Sequence, residues 1–540
     1  MGAKSTGFVR EATGLVREFS HLDLFVQAIS IMQIGIGVVF LLESVGYFYP
    51  GANLFWVIVI AGIVGLGFAA LWSIMSAAMP RSGGDYVWIS RIIPRFPSFG
   101  FMYAITYGVG FAIAFNMGFQ VWLFTNGILS PTFASLGLVY NNLFLTNLGT
   151  WMVSGNGLFI TGLFLVLLAV LTVALGARVG SRLINWLFFF SLFCTFVWII
   201  LSFTSSTASF ASAFNSQFGA GEYAKVLQLG QSAGFSGYSF NILSTILVGF
   251  SLGYFSLYSN FQYPVWVAGE IKNAKRIWVP FTLAIVVTGI LYFLLVGGLF
   301  NLMGANWLGS IGAASGAGTV PFSVPPTFPF LLTVMFKGNV LLVFLINAGL
   351  LAGTFTWFVV PYIAFSRLIF SMSFDRLFPK AFANVNQRFR VPVSALLLTV
   401  ILVIVWFSQY VYGLFWNPSL ISFATVFFSV TAAAPAAWTV GALVFASFPF
   451  INKDLYERVF PASFKKNIGL PLVTWLGLFI AATQGLATYE YITTSATPSW
   501  TAGTVLILMV GSFLVYYAIA AIRKRQNVDL NYVFKEIPPE

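Results

Sequence analysis

Residues 253–264 read Gly253-Tyr254-Phe255-Ser256-Leu257-Tyr258-Ser259-Asn260-Phe261-Gln262-Tyr263-Pro264, an uncharged stretch at the centre of the apolar run 239–268. It has a counterpart near the middle of the first apolar run, 24–49, where Gln33-Ile34-Gly35-Ile36-Gly37 carries two closely spaced glycines. A glycine costs an α-helix about 1 kcal/mol relative to alanine. The amides and carbonyls so freed are tolerated in hydrocarbon only where they face a cavity or a ligand. Either stretch alone also fits close packing of helices at small residues. The two fall at corresponding places when the first five apolar runs are laid over the next five. That pairing points to two interrupted helices around a solute site at membrane depth, the arrangement of secondary transporters.

Working outward, apolar runs bounded by charge, Pro or Gly predict twelve spans, at about 24–49, 53–79, 98–127, 156–177, 183–205, 239–268, 278–303, 338–370, 392–412, 419–449, 468–489 and 500–522. None alternates over ten-residue segments like the strand of an outer-membrane barrel. Composition agrees: of 540 residues 59% are hydrophobic and 7% charged, against about 25% charged in soluble domains. The surface must therefore face lipid, and a water-soluble protein is excluded. The first run exceeds a signal-peptide core, and Glu11 and Glu18 accompany Lys4, Arg10 and Arg17 before it, so it reads as a retained helix.

Sorting bases by alternate loops tests the count. Of 26 Lys and Arg, all but Lys225 and Lys337 fall on one side. A wrong number of spans would scramble that partition. The positive-inside rule then places both termini in the cytoplasm of a multi-pass protein of the cell membrane. It also accounts for the net charge of +12 without a nucleic acid. The outer connections 128–155, 206–238 and 304–337, rich in Gly, Ser, Asn and Pro, read as loops, the last ending in a Pro-rich cap at Pro321–Pro329.

Few ionisable residues reach membrane depth. Glu43 lies near the outer interface; Asp23, Asp85, Glu270 and Asp375 fall at or beyond the inner boundary, and Glu222 and Glu490 at the outer one, so nearly all read as helix-end charges in headgroups or water. Asp85 and Glu270 have Arg81, Lys272 and Arg276 as sequence-near ion-pair partners. His21 is the single histidine and Cys194 the single cysteine. A His/Cys metal cluster and an intrachain disulfide are thereby excluded, and Cys194, within an apolar run, reads as a small packing residue. No cofactor or metal site is indicated.

Met79-Pro80-Arg81-Ser82-Gly83-Gly84-Asp85-Tyr86-Val87-Trp88 resembles the P-x-S-G-G-x-Y-x-[YW] signature of the amino acid–polyamine–organocation permeases. Ala268-Gly269-Glu270-Ile271-Lys272-Asn273-Ala274-Lys275-Arg276, after span 6, is similar to that family's G/E-E-[VI]-K-N-P-x-R. Ser366-Arg367-Leu368-Ile369-Phe370 and Asp375-Arg376-Leu377-Phe378-Pro379-Lys380, after span 8, resemble S-R-L-[IL]-[YF] and D-G-L-L-P-K. The resemblance implies an all-α integral membrane protein of twelve transmembrane helices with a LeuT-type five-plus-five inverted repeat and broken helices 1 and 6. Its parts would be a cytoplasmic N-terminus 1–23, a first repeat 24–205, an outer loop 206–238, a second repeat 239–450, spans 11 and 12 within 451–522, and a cytoplasmic C-terminus 523–540.

By the same resemblance, substrate would lie against Gln33, Ile34, Gly35, Ile36 and Gly37 and against Tyr258, Ser259, Asn260, Phe261 and Gln262. Helix-end amides suit a carboxylate and helix-end carbonyls an ammonium. The chain departs from the pattern at Ile36, where a hydroxyl residue is usual, at Asn260, a glycine position, and at Gln262, a glutamate position. Tyr107, Asn116 and Thr354 are candidate cavity residues; for Tyr107 and Asn116 a packed aromatic and a helix–helix hydrogen bond are the alternatives. The span 5 lysine of proton-coupled members falls on Ser191, six residues after Asn185. Coupling is left open between a proton, with Glu43, Asp23 or Glu270 as carriers, sodium held by oxygens near Gly35 and by Thr354 and Thr356, and uncoupled exchange. The Ser82–Gly84 motif and its charged neighbours read as gate and scaffold.

These features predict a permease in the lipid bilayer for an amino acid or a polyamine. The sequence shows no constellation of carboxylates, nucleophile or metal ligands for a membrane enzyme, and no charge rings or proton relay for a channel or pump. A sensor of the same fold, binding without transport, is the competing reading.

Overall fold

A computed structural model of the chain describes residues 15, 17–34, 51–238, 240–320, 327–386, 390–416, 429–460, 465, 467–495, 497–535 and 537. Gly35, Ile36, Gly37, Glu43 and 321–326 of the predicted cap lie outside the described residues. The described chain is helical apart from a two-residue strand pair, Asn467–Ile468 with Leu470–Pro471. Its principal helices are α1 (His21–Met32), α2 (Leu54–Ala78), α3 (Ser98–Val139), α4 (Gly155–Ala174), α5 (Ala177–Thr204) and α6 (Ile242–Leu257). There follow α7 (Trp278–Met303), α8 (Val340–Phe374), α9 (Val393–Val411), α10 (Ala433–Ile451), α11 (Leu472–Thr494) and α12 (Pro498–Arg525). Among the described residues ten helices are long and apolar enough to cross a membrane; α1 and α6 are the shorter ones. Those two stand where the paired interruptions are predicted.

The outward faces carry Trp186, Ile507 and Leu514, all exposed, as a lipid-facing surface requires. Helix α12 is the most peripheral of the ten: only 17% of its apolar window is buried. Inside, α2 packs on α7, α5 on α8, and α1 against both α7 and α8. Small residues set the closest approach. A Cβ on Gly349 of α8 would lie 2.1 Å from the Cβ of the buried Cys194 on α5. Gly349→Ala is therefore expected to cost about 1–3 kcal/mol by overpacking, read as a lower thermal midpoint in detergent, with partial recovery in the double variant carrying Cys194→Gly. An unchanged midpoint would show that α5 and α8 part without penalty.

Helix starts follow local chemistry. Ser20 caps α1 in a reciprocal box: Asp23 N–H donates to Ser20 Oγ (3.2 Å) and Ser20 N–H to Asp23 Oδ2 (2.7 Å). Asn185 Nδ2 donates to Asp23 Oδ1 at 2.8 Å, so this carboxylate also ties α1 to α5.

Two expectations are corrected. The connections expected as outer loops are largely helical: α3 runs on through Ser130–Val139, and they hold helices Leu143–Met152, Thr207–Phe218, Glu222–Ser232, Ala305–Gly316 and Phe328–Met335. Some of the polar and proline residues that suggested loops are instead helix starts. Asn142 and Ser206 cap two of these helices, and proline stands in the first turn of Phe328–Met335. The inner acids are not solvated helix ends either: Asp85, Glu270 and Asp375 are at most 1% exposed.

Candidate functional site

Helix α1 stops at Met32 because Gln33 takes a left-handed conformation, φ +51°. Helix α6 stops at Leu257, and the chain turns through Tyr258–Gln262 before the 3₁₀ turn Tyr263–Trp266. Asn260 in that turn is also left-handed, φ +66°. Glycine is the residue of least cost there and asparagine the next best. The departure at Asn260 therefore keeps the backbone that a glycine supplies and adds an amide.

The last carbonyls of a helix have no partner within it. Tyr292 of α7 donates its hydroxyl to both Met32 O and Leu257 O, the latter at 2.7 Å. A phenol has one proton, so two helix-end carbonyls share a single donor. Their residual negative potential suits a cationic group. Tyr292 is missed by sequence reasoning, since nothing distinguishes it within an uninterrupted apolar span.

Behind the α6 break lies an uncharged polar network. Tyr107 OH donates to Asn260 Oδ1 (3.2 Å), Gln262 Nε2 to Tyr107 OH (3.1 Å) and Asn116 Nδ2 to Tyr263 OH (3.0 Å). Gln262 Oε1 is buried without a hydrogen-bond partner among the described residues. Tyr107 and Asn116 both sit on the π-helical stretch Ala104–Met117 of α3, and such widened turns are frequent at functional sites. Ser259 Oγ donates to Phe255 O at 2.6 Å, and Phe261 packs edge-on against Phe281. The Tyr258 side chain enters the α2–α7 contact: a Cβ on Gly62 or Gly289 would meet its hydroxyl at 3.3 or 2.9 Å.

Gln33, Ile34, Ser191, Thr354 and Thr356 meet around one cavity of about 50 Å³ between α1, α5 and α8. Thr356 Oγ1 donates to Gly353 O at 2.8 Å. Thr354 Oγ1 and Ser30 Oγ are buried with no hydrogen-bond partner among the described residues, leaving two oxygens available at its wall. Ser191 Oγ would lie 2.3 Å from a Cβ on Gly353, so its small size matches the glycine opposite.

At the end of the bundle where α1 begins, the motif residues interlock. Gly83 (φ +91°) donates its N–H to Trp266 O at 2.9 Å, and a Cβ on it would lie 2.4 Å from Ser371 Oγ. Ser371 Oγ donates to Ser82 O at 2.8 Å. Two bidentate ion pairs are buried there. Arg91 Nη1 and Nη2 each donate to Asp375 at 2.7 Å; Arg367 Nε and Nη2 donate to Glu270 at 2.8 and 3.0 Å. Tyr86 OH adds a bond to Asp375 at 2.9 Å.

The sequence-near pairing is thus corrected. Glu270 takes Arg367, 97 positions away, and among the described residues Asp85 has no cationic partner within ion-pair distance. Glu270 lies buried on the 3₁₀ turn Ala268–Glu270, within reach of Arg367 on α8, whereas Lys272 and Arg276 are exposed. Asp85 accepts from Trp72, Tyr103, Trp266 and the Tyr86 N–H. Burial pushes its carboxyl up to about 6, with these donors pulling the other way.

A profile of the amino acid permease family matches residues 19–483, from the strand-like residue before α1 into α11. No curated protein matches the chain. The matched stretch contains both helix breaks, the π-helical stretch of α3 and both buried ion pairs. The chain therefore belongs to the amino acid permease family of the amino acid–polyamine–organocation superfamily, whose members are multi-pass membrane transporters rather than enzymes.

Proposed function

We propose that the protein is a secondary transporter of amino acids or related amines, working by alternating access around the ends of α1 and α6. The observation that carries this reading is the convergence of Met32 O and Leu257 O on the single hydroxyl of Tyr292. Helix-end carbonyls and one shared donor form a receptor for a substrate ammonium. The carboxylate would be met by the amides of Gly35–Gly37, and the Tyr107–Asn260–Gln262 network would face the rest of the solute. The proposed frame is twelve helices, with α1–α5 and α6–α10 as inverted repeats, both termini in the cytoplasm and the cell membrane as location. Thr354 and Ser30 are the oxygens that favour a small-ion site between α1 and α8, with sodium as one coupling ion to test.

Counterflow of labelled amino acids and polyamines into proteoliposomes, with imposed proton or sodium gradients, tests the reading. Saturable exchange is expected, and the gradient that drives accumulation identifies the coupling ion. Binding without flux under every gradient would replace the transporter with a sensor. Two variants test the α6 break. Asn260→Gly keeps the left-handed backbone while removing the amide, and Gln262→Ala removes the other donor. Each is expected to change substrate preference severalfold at unchanged expression. Preference identical to the parent in both would take the network out of the site.

A further inference from the structure

Asp85 lies in the first turn of the helix Gly84–Ile92 and is fully buried, at 0% exposure. Its carboxylate is held by donors from four directions. Trp72 Nε1 of α2 reaches Oδ2 at 3.3 Å and Tyr103 OH of α3 reaches it at 2.9 Å. Trp266 Nε1, from the 3₁₀ turn after α6, and the Tyr86 N–H at 3.1 Å take Oδ1. The other two buried acids at this end, Asp375 and Glu270, each have an arginine. Among the described residues Asp85 has none within ion-pair distance, so its charge is met there by dipoles alone. An unpaired buried carboxylate is costly and gains by taking up a proton.

Its surroundings leave little else to titrate. The Gly84–Ile92 helix contributes Tyr86, whose hydroxyl points to Asp375, and Arg91, which neutralises that same acid. The α3 side contributes Tyr103 and Tyr107, and the α6 side Tyr254 and Tyr263. Phenols ordinarily titrate near about 10. Helix α2 brings Trp72, α10 carries no charged residue, and the Arg367 of α8 is spent on Glu270. The two indoles cannot accept a hydrogen bond. A proton on Oδ2 can be received by the Tyr103 oxygen when that hydroxyl turns, so the neutral acid also has a partner.

We infer that Asp85 is a proton-binding site acting as a latch: its protonated form favours the present arrangement, with α2, α3 and the Tyr263–Trp266 turn closed over it. Loss of the proton to water favours an arrangement in which this end opens and hydrates the carboxylate. The inference rests on the alternating-access reading above. It gives a chain with serine at position 191 a place for a coupling proton that neither broken helix supplies.

The sign follows from the two environments. Buried, the carboxyl titrates at about 6; in water an aspartate titrates near about 3.9. The raised value means that the proton's contribution to closure is complete below the water value and is lost as pH rises through about 6. Between pH 5 and pH 7 the closed-to-open ratio should fall roughly tenfold.

The test uses the full-length protein in detergent, with two readouts that require no known substrate. Infrared difference titration between pH 5 and pH 7.5 should show a protonated-carboxyl band disappearing with a midpoint near 6, absent from Asp85→Asn and shifted in Asp85→Glu. Maleimide labelling of Ser371→Cys in a Cys194→Ala background reports opening, because Ser371 seals against Ser82 and Gly83. Its rate, taken relative to an exposed cysteine introduced by Arg525→Cys, should rise roughly tenfold over two pH units and become pH-independent in Asp85→Asn. A carboxylate ionised throughout the range, or a titrating band with labelling that stays flat, overturns the latch; the wild-type titration decides this even where a variant fails to fold. Counterflow run in parallel separates the two readings. Flux without a titrating latch would leave the transporter and remove Asp85, and a latch without flux for any amine would do the reverse.

Discussion

Arg367→Ala is expected to be the most destabilising single change at the motif end, lowering the unfolding free energy by about 3–5 kcal/mol. The guanidinium lies flat against Glu270 with two short bonds, and both side chains are at most 2% exposed. Deleting it leaves the Glu270 carboxylate buried without a counter-charge. The damage should spread, because Glu270 O accepts from Phe19 N–H at 3.1 Å and Lys272 N–H donates to Phe19 O at 3.1 Å. That short ladder anchors the segment leading into α1. The matched control is Arg367→Met with Glu270→Leu. Replacing a whole buried pair by apolar groups is often neutral, so the double variant should recover most of the loss in a denaturant titration. Equal losses in the single and double variants would show that the pair itself, and not the orphaned carboxylate, accounts for the loss.

The second large effect is expected at the helix breaks. Tyr292→Phe preserves the ring and its edge-on contact with Tyr258 but removes the hydroxyl shared by Met32 O and Leu257 O. A buried acceptor left without a donor costs about 1–3 kcal/mol, and two are affected. The substrate-free protein should lose stability by that order. On the proposed reading, a bound amine would bring its own donors to the same carbonyls. It should therefore restore more stability in Tyr292→Phe than in the parent, seen as a larger ligand-induced rise in thermal midpoint. A smaller rise would mean that the hydroxyl, rather than the carbonyls, is what the amine contacts.

Both effects bear on how such a chain opens. The two buried ion pairs join the Gly84–Ile92 helix, through Arg91, to Asp375 at the end of α8 and the turn after α6, through Glu270, to Arg367 of α8, and Ser371 seals the same surface against Ser82. In the alternating access proposed above, opening this end would hydrate these groups together, which would favour two discrete states over a continuum of intermediate ones. The Gly83 and Gly84 backbones permit the closed form: Gly83 (φ +91°) and Gly84 (φ +44°) leave no room for a side chain, a Cβ on Gly84 lying 2.8 Å from Val265 O.

Legibility differed from residue to residue. The interruption of α6 could be read because its glycines, polar residues and proline stand out locally against an apolar background. The backbone role of Asn260 could not, since a left-handed φ is imposed by the turn and only tolerated by the side chain. Asn116 announced itself as a polar residue at depth; its partner Tyr263 did not. Connections rich in Ser, Asn and Pro looked like loops because the same residues serve turns and helix starts. Their helices are settled by packing, as where Ser310 fills the space beside Gly230.

The sequence by itself determined that this is an apolar, helical multi-pass membrane protein, where its apolar runs lie, and which family it belongs to. These are properties of composition and of order along the chain, because transfer into hydrocarbon depends on each segment's own polarity. Only the tertiary structure decided which acid meets which base, that Asp85 meets none among the described residues, and that Tyr292 joins two helix ends. Those outcomes depend on contacts between positions 97, 260 and 284 residues apart, where a Coulomb or hydrogen-bond energy is fixed by distance in space and not by distance in sequence.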